Sequence, residues 1–418
     1  MDKFLVNKSM NLKGKVRVSG AKNAALPILA ASILAGDEVI LEDVPRLRDI
    51  EIMEDILTTL GADFEFIEEN KLRIDTSRVE NKDIGYELTS QMRASTLIMG
   101  PLLARFGNAK ISLPGGCTIG TRPIDLHLKG FRALGVDCDV HNGYIEAHSE
   151  GLVGQKIYLD FPSVGATENI IMAATLAEGE TILDNAAMEP EIVDLSNFLN
   201  KMGADVKGAG TPTIRIKGVE KLGKASHQII PDRIEAGTFM VAAAMTDGDI
   251  ELENIITSHI KPVIAKLKEM GATVEENGSH IRVKGTSEPK ATDIKTMPHP
   301  GFPTDMQAQF MAFMNIIDGT SVVIETIFEN RFRIVDEFKR MGADIKIDGR
   351  TAIVQGVEEL TGSEVKATDL RAGAALILAG LVAEGETIVD DIYHIDRGYE
   401  NIEEKFKALG ANIKRVSV

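Results

Sequence analysis

Two cysteines occur in the 418 residues, and one of them sits where a thiol could do chemistry. Cys117 lies in Pro114-Gly115-Gly116-Cys117-Thr118-Ile119-Gly120-Thr121-Arg122-Pro123, where three glycines permit unusual backbone angles and Arg122 follows the thiol by five residues. A thiol donates a proton and a thiolate attacks carbon, and a nearby cation tunes the balance around a reference pKa of roughly 8.5. The competing reading is a lone, inert cysteine. Cys138, in Val136-Asp137-Cys138-Asp139-Val140, reads as a strand residue and is expected to be inert. His127 follows Cys117 by ten residues, but nothing in the sequence sets it against the thiol as a protease would need, so it is expected to line the return of the loop. Neither a disulfide framework nor the Cys/His spacing of a zinc site is present, and a reducing cytosol is the natural setting.

The elements that must carry this loop repeat six times. Gly61, Gly135, Gly203, Gly271, Gly342 and Gly410 each end a helix-like stretch and precede an alternating strand, at intervals of 74, 68, 68, 71 and 68 residues. Glycine there fits a left-handed C-terminal cap. A second series, Gly36, Gly107, Gly179, Gly248, Gly319 and Gly385, ends helices rich in Ala, Leu and Met. Those helices are apolar on most faces, as in Ala372-Gly373-Ala374-Ala375-Leu376-Ile377-Leu378, so they are expected inside their domains, with amphipathic helices covering them. Six α/β units of about 70 residues (418/6) predict two domains of three units each. The distance from the second glycine to the first within a unit is 25, 28, 24, 23, 23 and 25 residues, so the longest connection is the one that contains Cys117.

Counting 14 residues back from the second series reaches Lys22, Arg93, Gly165, Ile234, Asp305 and Arg371. Four are charged, each at the expected first turn of a buried helix. Polar residues commonly cap helix ends, which would explain them structurally. Alternatively, the helix starts face a common cleft, where positive helix ends and Lys22, Arg93 and Arg371 would hold phosphates or carboxylates. Counting 13 back from the first series gives Arg48, Arg122 and Arg397, which predicts one shared structural position for these three.

Four motifs, Ser19-Gly20-Ala21-Lys22-Asn23-Ala24-Ala25, the Cys117 loop, Pro303-Thr304-Asp305-Met306-Gln307-Ala308-Gln309 and Asp396-Arg397-Gly398-Tyr399, resemble those of the enolpyruvyl transferase family, in particular its members that act on UDP-N-acetylglucosamine. The likeness covers essentially the whole chain. It implies transfer of the enolpyruvyl group of phosphoenolpyruvate to the sugar 3-hydroxyl with release of phosphate, the first committed step of peptidoglycan synthesis, with no metal or organic cofactor. It implies an α/β fold, a two-domain inside-out α/β barrel: residues 22–230 carry the Cys117 loop, residues 1–21 and 231–418 carry Asp305 and Arg397, and the active site lies in the cleft between them.

The resemblance also assigns roles. Cys117 is the implied proton donor, a thiol that can also link covalently to phosphoenolpyruvate and that thiol-directed epoxides such as fosfomycin attack. Asp305 is the implied base. Lys22 and Asn23 are expected to bind phosphoenolpyruvate, with Arg122 and Arg397 as cationic partners of its phosphate and carboxylate. Arg93, Arg122, Pro123, Ile124, Asp125, Leu126, Asp305 and Ile327 are expected around the UDP-sugar, with Ser163, Val164 and Gly165 near its diphosphate and Arg371 among the substrate-binding residues. Many relatives place a lysine just before Ser163, where this chain has Phe161-Pro162. Asp232-Arg233 are expected to mark the crossing between domains. The nearest rival is the related transferase that modifies shikimate 3-phosphate, which the Cys117 loop disfavours; a non-enzymatic rival would bind the nucleotide sugar without turnover.

Composition excludes other classes. The chain carries 46 Lys and Arg against 63 Asp and Glu, a net charge of −17 that would repel nucleic acid and anionic membranes. An anionic substrate must therefore meet a local cationic cluster. The first residues lack the pattern of an export signal, and the apolar runs are too short to span a bilayer, so a cytoplasmic protein without membrane insertion is expected.

Overall fold

Alternation builds the sheets. In Asp249–Glu253, Ile250 and Leu252 are fully buried while Asp249, Glu251 and Glu253 face outward, the period of two that one covered face demands. The computed structural model describes residues 2–113 and 124–417. These form two compact units, residues 20–113 with 124–230, and residues 2–19 with 231–417.

Each unit contains three sheets, one per repeat. In five of the six, the sheet has a parallel edge strand followed by three antiparallel strands. The second repeat has three antiparallel strands, Asn108–Ser112, Tyr144–His148 and Asp137–His141, and a single parallel bridge from Ile84 to Ile111 in place of the edge strand. Strands far apart in sequence close both units. Ala225–Gln228 returns to lie parallel to Glu38–Glu42 in the first repeat. Lys13–Arg17 lies parallel to Asp249–Glu253, and Asp2–Asn7 inserts between Glu386–Asp390 and Asn412–Ser417, antiparallel to both. The sixth repeat is thus completed by the start of the chain.

The sheets enclose the apolar helices, which is the inside-out arrangement. In Leu370–Val382 every residue from Arg371 to Val382 is buried, and Arg233–Met245 is buried from Ile234 to Met245. Helices this apolar all round have no solvent face and gain stability by packing on each other, each buried Leu or Ile contributing about 1.5–3 kcal/mol. Each unit has its own continuous apolar core. The amphipathic helices keep one face outward, as in Arg48–Leu60, where Ile50, Met53, Ile56, Leu57 and Leu60 are buried and Glu51, Asp55 and Thr58 are exposed.

All six glycines of the first series have positive φ and end their helices as expected. In the second series Gly248 differs. Asp247 takes the left-handed conformation (φ 49°), and Gly248 is required because a Cβ there would lie 2.6 Å from the Leu12 carbonyl oxygen. Among the described residues no helix is long and apolar enough to cross a membrane.

Candidate active site

The register of 14 residues before the second glycines falls at the start of the central helix in four of the six repeats. Lys22 opens Lys22–Ala31, Gly165 is second in Val164–Ala174, Ile234 second in Arg233–Met245 and Arg371 second in Leu370–Val382. Arg93 and Asp305 instead occupy 3-10 turns, Arg93–Ile98 and Thr304–Met306, which lead into the helices Met99–Phe106 and Gln307–Met314. The register of 13 does not describe one position. Arg48 begins a helix, is largely exposed and pairs with Glu51 at 2.8 Å, whereas Arg397 follows the short helix Tyr393–Asp396 and the next helix starts only at Ile402. Counting residues placed these two together; an extra short helix in the sixth repeat separates them.

In the unit of residues 20–230, Lys22 is 8% exposed and its Nζ lies 3.0 Å from Asp49 Oδ2, itself buried in the first turn of Arg48–Leu60. Asn23, next on the helix, is exposed. Ala21 at the N-cap offers no side-chain acceptor to the first amides, so this end keeps its anion-attracting character. A second group brings together three segments singled out in the sequence. His127, on Asp125–Ala133, is buried, and its Nδ1 accepts from Asn169 Nδ2 at 2.9 Å, since Asn169 Oδ1 is taken by the Gly100 amide. The His127 proton therefore resides on Nε2. Burial, followed by the nearby charge of Arg93, lowers its pKa to about 4, so the imidazole is neutral.

The ring lies against the start of Val164–Ala174, where a Cβ on Gly165 would come within 3.2 Å of His127 Cε1; only glycine leaves this approach unstrained. Ser163 caps the helix by accepting from the Ala166 amide at 3.4 Å. Ile124, Asp125 and Leu126 form the partly exposed entry to Asp125–Ala133. His127 and Asn169 thus join the Arg93–Ile98 turn, through the Thr96 carbonyl, to the starts of Asp125–Ala133 and Val164–Ala174. One turn beyond Gly165, Glu168 is buried, and its carboxyl is held well above the usual range, first by burial and then by the charges of Glu191 and Glu189. Both causes favour its protonated form.

In the unit of residues 2–19 and 231–417, Asp305 accepts from two buried arginines. Arg331 Nη2 donates to Oδ1 at 2.7 Å and Arg371 Nη2 to Oδ2 at 3.2 Å; the guanidinium-bearing side chains are only 3% and 4% exposed. Burial opposes the charge of Arg371, but Asp305 and other neighbours outweigh it and hold its pKa above the ordinary arginine value. Two buried cations share this carboxylate, with the charge of Asp232 also near Arg371, and Arg371 Nη1 and Arg331 Nε are buried without a hydrogen-bond partner among the described residues. Unspent buried donors of this kind fit an anionic ligand. Glu325, 1% exposed, accepts from the amides of Ile327 and Phe328 at 2.7 and 3.1 Å and from Thr304 Oγ1 at 2.9 Å, so one carboxylate orients Ile327 and the turn of Asp305. Arg397 is partly buried; Asp396 before it accepts through both carboxylate oxygens from Arg415 Nη2 and Nη1 at 2.6 and 3.0 Å, and Tyr399 after it is buried.

Cys117, Arg122 and Pro123 lie outside the described residues. Cys138 is buried in Asp137–His141, and burial pushes its thiol up to about 11, in keeping with an inert residue. Asp232 caps Arg233–Met245 by accepting from Ile234 N and Glu235 N. Asp49, Glu168, Asn169, Glu325, Arg331 and Tyr399 were not marked by sequence periodicity. Arg331 and Glu325 had a weak signal, as charged residues flanking Ile327. Among the described residues, the three-residue group able to hold a metal is Glu251, Glu253 and His280 on an outer sheet, where Lys15 already lies 3.0 and 3.6 Å from the two carboxylates.

Comparison with known proteins agrees with this architecture. A family profile described as EPSP synthase (3-phosphoshikimate 1-carboxyvinyltransferase) matches residues 6–406. UDP-N-acetylglucosamine 1-carboxyvinyltransferase 1 of Caldanaerobacter subterraneus subsp. tengcongensis is 62% identical over 415 residues, 99% of both chains. The UDP-N-acetylglucosamine 1-carboxyvinyltransferase of Finegoldia magna is 59% identical over 421 aligned positions, covering both chains fully. Among solved structures, the enolpyruvyl transferase NikO from Streptomyces tendae superposes with a TM-score of 0.91 over 100% of this chain and 99% of that one, at 24% identity. EPSP synthase from Acinetobacter baumannii gives 0.78 at 21% identity with both chains fully covered. The fold is thus that of the enolpyruvyl transferases, and identity at this level over the full length narrows it further: the chain belongs to the UDP-N-acetylglucosamine 1-carboxyvinyltransferase family.

Proposed function

We propose that this chain transfers the enolpyruvyl group of phosphoenolpyruvate to the 3-hydroxyl of UDP-N-acetylglucosamine, releasing phosphate, as the first committed step of peptidoglycan synthesis. The observation that carries the reading is the 62% identity, across 99% of both chains, to a relative named for this activity. The cluster of Asp305, Arg331 and Arg371 supports it, because a chain of net charge −17 concentrates buried cations there. In the reaction Cys117 donates a proton to the methylene carbon of phosphoenolpyruvate as the sugar oxygen bonds to its neighbouring carbon. Asp305 takes the hydroxyl proton, giving a tetrahedral intermediate. Loss of a proton from the new methyl group and departure of phosphate restore the double bond.

Lys22, Asn23, Arg397 and Arg371 bind phosphoenolpyruvate with Arg122 in this reading, and Arg93, residues 122–126, residues 163–165, Asp305 and Ile327 receive the nucleotide sugar. Arg371 then serves both Asp305 and substrate, so arrival of the anion and release of the Asp305 carboxylate are linked. A catalytic thiol must stay reduced, which supports a cytoplasmic enzyme, and fosfomycin is expected to alkylate Cys117. Phosphate release from phosphoenolpyruvate tests the reading: release with UDP-N-acetylglucosamine and none with shikimate 3-phosphate is expected, and the reverse pattern overturns it. Binding of the nucleotide sugar without turnover would support the non-enzymatic alternative.

A further inference from the structure

Tyr399 stands two residues after Arg397 and is 3% exposed. Its hydroxyl lies 2.9 Å from Thr238 Oγ1 and 3.3 Å from Gln309 Nε2. Thr238 Oγ1 is also 2.9 Å from the Ile234 carbonyl, which only accepts, so the threonine proton goes there and the tyrosine donates to the threonine. Gln309 can only donate through Nε2, and it faces both oxygens. The Arg371 guanidinium lies over the ring, with Cζ 5.4 Å from its centroid. Burial pushes the phenol pKa up, so the hydroxyl keeps its proton.

The three partners belong to three different central helices, Arg233–Met245, Gln307–Met314 and Leu370–Val382. Packing alone would be served by phenylalanine, and a hydroxyl buried in an aliphatic core is tolerated only when its bonds are made. Here they are made to Thr238 and Gln309, and the hydroxyl also faces the Arg371 guanidinium, whose Nη2 donates to Asp305 and whose Nη1 makes no hydrogen bond of ordinary geometry among the described residues. We propose that Tyr399 is a positioning residue for enolpyruvyl transfer: its hydroxyl and ring fix the plane of Arg371, leaving Nη1 aimed at the anionic end of phosphoenolpyruvate, and tether the Arg397 segment. The proposal rests on the function given above.

Tyr399→Phe removes the hydroxyl and keeps the ring. By steady-state phosphate release, KM for phosphoenolpyruvate should rise about tenfold while KM for UDP-N-acetylglucosamine stays within about twofold and Tm within about 3 °C. Thr238→Val, which breaks the same chain from the other side, should reproduce the effect, and the Tyr399→Phe, Thr238→Val double variant should be no worse than either. An unchanged KM for phosphoenolpyruvate in both single variants overturns the proposal, as does an equal loss for both substrates that follows Tm. If Tyr399→Phe does not fold, Thr238→Val alone decides. A wild-type protein that releases no phosphate from this substrate pair overturns the functional reading and this proposal with it; an active wild type with unaffected variants overturns the proposal alone.

Discussion

Replacing Glu325 separates an organising carboxylate from a filler of space. Its four hydrogen bonds, from Ile327 N (2.7 Å), Phe328 N (3.1 Å), Thr296 Oγ1 (2.9 Å) and Thr304 Oγ1 (2.9 Å), would all be lost in Glu325→Ala. Hydrogen bonds to a charged group contribute about 1.5–3 kcal/mol each, and a simple sum would exceed 6 kcal/mol. Residues 326–328 are only partly buried, so water can enter and satisfy the amides, and we expect a net loss of about 3–4 kcal/mol. For a unit of this size that lowers Tm by roughly 10 °C. Glu325→Gln keeps one carbonyl oxygen for the two amides and asks Thr304 only to reverse its hydroxyl, so it should cost about 1 kcal/mol. Urea denaturation followed by circular dichroism measures both losses, and phosphate-release kinetics should show the alanine variant with a raised KM for the nucleotide sugar through Ile327. The reasoning fails if alanine costs less than about 1 kcal/mol, or if glutamine is as damaging as alanine.

Cys117→Asp should retain turnover and escape alkylation by fosfomycin, whereas Cys117→Ser should be slower by about 100-fold, because a hydroxyl is a far weaker acid; mass spectrometry that finds the drug on Cys138 alone contradicts the assignment. Glu168 has its folded-state pKa raised above the ordinary 4.5, so its contribution to stability is complete below that value and is lost as pH rises through the folded pKa. Glu168→Gln should therefore raise Tm by a few degrees at pH 8 and leave it unchanged at pH 4, and parallel Tm curves for the two proteins would exclude this. Gly165→Ala pushes a methyl group against His127 and should raise KM for UDP-N-acetylglucosamine about tenfold with little change in KM for phosphoenolpyruvate, read from the same assay.

The repeats were legible in the sequence because their signals are local. A left-handed cap needs glycine whatever surrounds it, and the six glycines from Gly61 to Gly410 announce six helix ends. Central helices were legible as well, since a segment apolar on every face has no solvent side; Lys22 and Arg371 fall in their first turns, and Arg93 and Asp305 in the 3-10 turns that lead into them. The family's motifs supplied the chemistry that spacing left open. The comparison of Arg48 with Arg397 shows where counting stops working, because the short helix Tyr393–Asp396 shifts the sixth repeat without disturbing its glycines.

What Asp305 touches was decided only by the tertiary structure. Its arginines come from 26 and 66 residues away, and such a contact leaves no periodic trace in either segment. The same holds for Asp2–Asn7 inside the last sheet, for Asn169 fixing the tautomer of His127, and for Tyr399 joining three helices. Caps and amphipathic faces are settled within a few residues by backbone sterics and the hydrophobic effect. The partners of a buried charge are settled by which distant segments the closed units bring within hydrogen-bond range, and only the folded chain contains that information.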